Sequence, residues 1–529
     1  MKVVLQGRVV TMDAAFTVLS AGAVYIDSGA IVAVTAQGAP APAGFAGATS
    51  VDTGGTIFPG LIELHNHLSY DALPMWKVPK KFTNRGQWQG NADYASRVSG
   101  PMGVIAKSSD PHVLAALARY VETKCLLGGV TTSQGISLQI ATMDASYHGA
   151  MRVVDDPVGA GFPKATTHIL DVVAKKWSSF NKVLGKASCL LLHLSEGLDA
   201  PARDAFLSLQ NGSQWAITPA LAGIHCAALQ AADFAVMAQH GGSMVWSPFS
   251  NLMLYGGTSD IVAARAAGVP IALGSDWSPT GSKNLLNELK VAHAASAALN
   301  LGLTDRDIVA MATSVPAAIV KWGHQVGSIE AGKRADLTVV GGAGGDAYAA
   351  IIGARETDVV LVLIDGRPVV GTQVLMSALG ATGETLSVGG QVRIVDYGPG
   401  DPNVPFLTWS QAKMALAEAF GKIPTLLQGE RAGRGVFRTT LAAAPPRVRL
   451  ALDEEHMTGF SLRPSLPLHG QLTGPDALVT TASTHKKPAL KPVTLDPPTV
   501  VDDPNYAANI RAQANISAAV QAALLAFYP

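Results

Sequence analysis

The chain has 529 residues, 48% hydrophobic and 15% charged, and its 39 basic and 39 acidic side chains balance to a formal net charge of +0. That length supports a large core and more than one domain, and the charge balance leaves no basic footprint for nucleic acid or anionic lipid. Cys125, Cys189 and Cys226 cannot all pair and none stands in a Cys-x-x-Cys spacing, which fits a reduced, cytoplasmic compartment. Residues 1–10 are too short and interrupted for a signal peptide, and no uncharged run approaches the length needed to span a bilayer, so a soluble protein is expected.

Residues 1–57 alternate short β-rich runs with turns, at 2–11, 22–27 and 30–34. So few short strands need a partner sheet, and candidates appear far downstream at 335–340, 359–364 and 367–370, the last two joined by the turn Asp365-Gly366. The expectation is a composite β-sandwich domain built from 1–57 and 324–375. Between them, residues 58–323 alternate helical runs (114–127, 227–239, 258–267) with strand-like runs (130–132, 150–154, 189–193, 217–225, 243–246, 270–274). Such alternation implies a parallel sheet, and the span matches the about 250 residues of a (β/α)8 barrel. A doubly wound sheet would usually show a Gly-x-Gly-x-x-Gly loop after its first strand, and none is present. Residues 376–529 form a C-terminal extension with a hairpin at 383–397, a helix at 409–420, a strand at 447–452, a proline-rich irregular stretch at 464–504 and an Ala-rich helix at 505–527. No function follows from these features.

The run that begins at Phe58 ends in His65 and His67. Residues i and i+2 of a strand share a face, so the two imidazoles project together and can grip one metal ion. An isolated His-x-His is more often a surface pair. Here Pro59 and Gly60 mark a sharp entry into an apolar strand, Leu61, Ile62 and Leu64, whose polar groups lie at its far end. Barrel chemistry sits at the C-terminal ends of strands. His193 ends the run at 189–193, with Glu196 three residues on; His225 ends 217–225; Asp276 follows 270–274 and precedes Trp277. One such residue is explained by a hydrogen bond to a loop, whereas several at matching strand ends point to a metal with acid/base groups beside it.

Read in order, the motifs are Pro59-Gly60-Leu61-Ile62-Glu63-Leu64-His65-Asn66-His67, Gly129-Val130-Thr131-Thr132, His193-Leu194-Ser195-Glu196, the lone His225, Ser247-Pro248-Phe249-Ser250-Asn251-Leu252, Gly274-Ser275-Asp276, and the Gly-Ser-Ile-Glu-Ala-Gly-Lys-Arg-Ala-Asp-Leu stretch at 327–337. Together they resemble the amidohydrolase superfamily, and within it the mononuclear branch of cytosine, guanine and S-adenosylhomocysteine deaminases and triazine hydrolases. The resemblance covers roughly the first 370 residues. It implies a distorted (β/α)8 TIM barrel with the flanking β-sandwich joined to both sides. It also implies that His65, His67, His193 and Asp276 hold one divalent metal ion, zinc foremost, although the same ligands suit iron or manganese. A metal of this kind brings the pKa of its water to about neutral. Asp276 then accepts that proton, His225 positions or polarises water and substrate, and Glu196 delivers a proton to a ring nitrogen or leaving group.

The implied activity is hydrolysis of a non-peptide C–N bond in a small heterocycle, deaminase-like or chlorohydrolase-like, by a homo-oligomer. A binuclear amidase or cyclic amide hydrolase is the alternative, with a carboxylated lysine on the fourth strand; Lys164 is the only lysine near that place. A catalytically inactive scaffold relative is a third reading, against which the intact ligand positions argue. Trp76 and Trp88, in the loop at 68–89, either stack on a flat substrate or anchor a lid. Asn251 either shapes the pocket or caps a loop, and Trp277 either walls the pocket or packs.

Overall fold

The computed structural model describes residues 2–108, 110–140, 143–168, 177–425, 448–450, 452 and 490–528. Strands from residues 2–59 and 337–395 meet in one sheet. Lys2–Val10 pairs antiparallel with Val18–Asp27 and parallel with Thr49–Pro59. Thr49–Pro59 pairs in turn with Leu337–Gly341, Leu337 opposite Pro59. Val3, Leu5, Val24, Ile57, Leu337, Val339 and Leu361 bury one face of it, the alternation expected of half-covered strands. Nine strands belong to this sheet, and Glu384–Val388 and Gln391–Val395 lie at its edge. The hairpin read at 383–397 therefore extends the sheet past residue 375.

Eight of the intervening described strands are parallel and form two arcs. Leu61–Ile62, Val130–Ser133 and Arg152–Val153 make the first. Ala165–His168, Cys189–Leu194, Leu221–His225, Ser243–Trp246 and Ile271–Leu273 make the second. Every residue of Cys189–Leu194 and Leu221–His225 is buried, which is why these strands read as continuous apolar runs. The arcs touch at both edges. Ala165 N donates to Val154 O at 2.8 Å on one side, and on the other Asp276 N donates to His65 O at 3.0 Å while His67 N donates to Asp276 O at 2.6 Å.

Helices separate the strands where the sequence places them, with ends set by local chemistry. Pro111–Leu127 starts at Asp110, whose carboxylate accepts from His112 N. Ile261–Ala267 starts at Asp260 and stops at Gly268 in the left-handed region, φ 83°, so its first turn begins later than residue 258. The strand expected over 217–225 is confined to Leu221–His225; Pro219 in its first half has no N–H to give a ladder.

In the extension, Val448–Leu450 pairs antiparallel with Ser137–Ile140, and the proline-rich stretch lies outside the described residues up to 489. The helix expected over 505–527 is two, Tyr506–Arg511 and Ala518–Leu525. Tertiary bonds break it between them. The Gln513 side chain donates to Trp76 O at 3.0 Å and accepts from Val78 N at 3.2 Å, and Asn515 donates to Met253 O at 2.7 Å. The tail thus lies across the loop that follows the first parallel strand. Among the described residues no helix is long and apolar enough to cross a membrane.

Candidate metal centre

His65 and His67 leave the strand Leu61–Ile62, His193 lies in Cys189–Leu194, His225 ends Leu221–His225, and Asp276 follows Ile271–Leu273. Their side chains converge. His65 Nε2 is 3.4 Å from His67 Nε2 and 3.1 Å from His193 Nε2. Asp276 Oδ1 is 3.3 Å from His65 Nε2 and 3.4 Å from His67 Nε2. Hydrogen bonding alone does not account for this, because one Nε2–H on His65 can point at only one of its neighbours. Separations of 3.1 to 3.4 Å suit donors each about 2.0–2.1 Å from a common centre, the zinc–imidazole distance.

The electrostatics agree. Burial, with His225 and His67 nearby, holds the His65 imidazole well below its ordinary pKa, and burial does the same at His193. Both rings are neutral and offer lone pairs. Burial also pushes the Asp276 carboxyl up, against the pull of His225 and His67; only a cation at the centre would hold it ionised without cost. The donors therefore fit a divalent metal ion.

Bonds behind the ligands fix their aim. His65 Nδ1 meets Ser247 Oγ at 2.7 Å. His225 Nδ1 meets the Asn251 carbonyl at 2.9 Å, and the Asn251 amide donates to Thr258 Oγ1 at 3.2 Å. Asn251 is thus committed to orienting His225, whose Nε2 stands 3.7 Å from Glu196 Oε2. The backbone contributes too. Ser195, His225 and Asp276 leave their strands with φ of 55°, 66° and 66°, a left-handed turn that costs about 1 kcal/mol or more each and returns the chain over the mouth.

Glu63 received no role from the sequence. It is fully buried; its carboxylate accepts from Ser275 N at 2.9 Å, from Asn66 Nδ2 at 3.0 Å and from the Ser275 hydroxyl. It ties the exit carrying His65 and His67 to the exit carrying Asp276. The available signal was a carboxylate inside an apolar run. Gly274 serves the same seam, since a Cβ there would stand 2.4 Å from His65 Cβ. Gly274→Ala is expected to cost about 1–3 kcal/mol and to loosen metal binding by displacing His65, read as a lower thermal midpoint together with a lower metal-to-protein ratio.

On the far side, burial alone would raise the Glu196 carboxyl, but His225, Arg85 and the Tyr255 hydroxyl together hold it below its ordinary range. Trp277 stands edge-on to His67, ring centroids 5.3 Å apart, and Trp88 is 6.0 Å from Trp277. Trp76 lies a layer further out, against Phe82 and Tyr94, its indole N–H on Asp93 at 2.7 Å. Lys164 precedes the fourth parallel strand, at the end opposite the metal ligands; its side chain is 66% exposed and lies 3.9 Å from Asp156. It is not placed to bridge two ions.

Parallel strands that deliver three imidazoles and a carboxylate to one point, beside a second carboxylate, define a metal-dependent hydrolase. Residues 212–369 match the amidohydrolase family model. The 5-methylthioadenosine/S-adenosylhomocysteine deaminase of Symbiobacterium thermophilum is 25% identical over 423 residues, covering 68% of this chain and 91% of that one. The structure of an adenosine deaminase from Xanthomonas campestris with bound zinc superposes with a TM-score of 0.52 at 20% identity, over 69% of this chain and 92% of that one. An atrazine chlorohydrolase from Arthrobacter aurescens, complexed with zinc and atraton, does so at 0.54 and 19% identity, over 69% and 95%. At these identities the two structures speak to the fold.

Proposed function

We propose that the protein hydrolyses a non-peptide C–N bond, or the equivalent carbon–chlorine bond, of a small heterocyclic substrate. The observation that carries this reading is the cluster in which His65 Nε2 lies 3.1 to 3.4 Å from His67, His193 and Asp276, beside Glu196 and His225. The two arcs of parallel strands, bonded at both edges, support a distorted (β/α)8 barrel with this cluster at its mouth. The four ligands would hold one divalent ion, zinc in keeping with the donor set. When bound, that ion supplies Lewis-acid polarisation and water with a pKa of about neutral.

The chain's own groups do the rest. Asp276 accepts the proton of the attacking water. His225, oriented through its Nδ1 by Asn251, keeps its Nε2 beside Glu196 and the water. Glu196 is ionised at rest, so it first takes up a proton from a water molecule and then hands it to the ring nitrogen or the departing amine, as a leaving group of that basicity requires. Trp277 and Trp88, buried beside His67, would give a flat ring aromatic neighbours there. The exposed Lys164 favours one ion over two.

Metal-loaded protein is expected to retain one ion per chain by elemental analysis and to release ammonia or chloride from a panel of aminated and chlorinated purines, pyrimidines and triazines. In view of the Symbiobacterium relative, 5′-modified adenosines come first. Chelation should abolish turnover and zinc restore it. Protein that keeps no metal after loading would falsify the proposal, and release of carboxylate from cyclic amides alone would transfer it to the amidase reading.

A further inference from the structure

Glu196 does not hold its position by itself. Arg85 Nη1 donates to its Oε2 at 3.0 Å, and Arg85 N donates to its carbonyl oxygen at 3.2 Å. The other carboxylate oxygen accepts from Tyr255 OH at 2.9 Å, and Tyr255 OH itself accepts from Trp88 Nε1 at 2.8 Å. Arg85 and Trp88 both belong to the short helix Arg85–Gln89. Three residues apart, they share a side of it. One oxygen of this buried carboxylate is thus held by Arg85 directly and the other by Tyr255, which Trp88 of the same short helix supports. The same stretch is fastened beside the carboxylate: Thr83 Oγ1 and Asn84 Nδ2 donate to Asp199 Oδ2 at 2.6 and 2.7 Å, and Leu198 N donates to Thr83 O at 2.8 Å.

Glu196, His225 and Asp276 are 4%, 1% and 3% exposed, and Arg85 and Trp88 of this segment lie against Glu196 and its partner Tyr255. Lifting the segment removes Arg85 and Trp88 from Glu196 together. We propose that Arg85 and Trp88 are positioning residues carried on a lid, and that closing the lid sets the Glu196 carboxylate for proton transfer. The catalytic part of this rests on the role given to Glu196 above; the latch itself rests on geometry. It couples substrate enclosure to assembly of the proton carrier, so water entering an open site meets a misplaced carboxylate.

Two readouts on the full-length, metal-loaded protein test this. In hydrogen–deuterium exchange, Arg85→Ala and Glu196→Gln each remove the same charged pair and should speed exchange across residues 83–99 by about 10-fold or more. Metal content should stay unchanged. Arg97→Ala, which removes an exposed pair with Asp93 on the same segment, should leave activity as it was. In kinetics, Arg85→Ala should lower kcat by about 100-fold with a smaller change in KM. Guanidinium ion in the buffer should recover part of it, and Trp88→Phe should fall between Arg85→Ala and wild type. Unchanged exchange at 83–99 in both latch variants, or undiminished kcat in Arg85→Ala, overturns the proposal. Accelerated exchange in a protein that turns over no heterocycle leaves the latch standing and removes the functional reading.

Discussion

Glu196→Gln is expected to lower kcat by about 10²- to 10⁴-fold while the protein keeps its metal and its fold. The substitution is nearly isosteric. Its amide oxygen can still accept from Tyr255 OH, now 2.9 Å from Oε1, so the contact with Tyr255 is kept. What disappears is the negative charge opposite Arg85, at 3.0 Å, and with it the capacity to carry a proton between water and the leaving group. None of the four convergent ligand atoms belongs to this residue, so elemental analysis should match wild type. The comparison of kcat, KM and metal content in one preparation decides the matter. A variant that keeps wild-type kcat assigns the proton to His225 or Asp276 instead, and one that loses metal makes Glu196 a ligand.

Asp496→Ala is expected to cost about 3–5 kcal/mol. Lys124 and Lys283 are both buried, and the Asp496 carboxylate binds both ammonium groups, Lys124 at 2.8 Å. Lys283 has a second partner in Asp503 at 3.0 Å, whereas Lys124 Nζ otherwise donates only to the Asp71 carbonyl among its described contacts. Removing the tail carboxylate strands a cation in the interior, where the desolvation cost is uncompensated. A fall in the urea and thermal midpoints measures the loss, and Asp496→Leu with Lys124→Met should recover part of it. A midpoint within error of wild type would refute the account. Burial alone would lower the Lys283 pKa, but Asp496 and Asp503 raise it above its ordinary 10.5. Its share of the stability is therefore complete below that pH and is lost only as pH rises through the higher folded value.

The position of Asp496 gives the extension a structural purpose. Lys124 also holds Asp71, four residues beyond His67, and Lys283 lies seven beyond Asp276. Asp496 N donates to Ala72 O at 2.9 Å. One carboxylate near the end of the chain thus braces the two loops that begin at His67 and Asp276. The proline-rich composition around it betrayed nothing of this, because a buried ion pair between residues 124 and 496 has no local periodicity to read.

His65 and His67, and the strand ends at His193, His225 and Asp276, were legible from the residues alone. Their placement follows from the two-residue period of a strand and from apolar runs that stop at a polar group, both of which are local properties. The nine-stranded sheet was foreshadowed by short strands at both ends of the described core, and the helices by their own spacing. Only the tertiary structure decided that Asn251 serves His225, that Glu63 and Gly274 close the seam, that Lys164 points to solvent, and that Arg85 grips Glu196. It also split the last helix at Gln513 and Asn515. Each of these depends on which distant groups are brought within about 3 Å in a dehydrated interior, where a hydrogen bond or charge must find its partner. Sequence order specifies the partners' chemistry, and the closure of the chain selects the pairs.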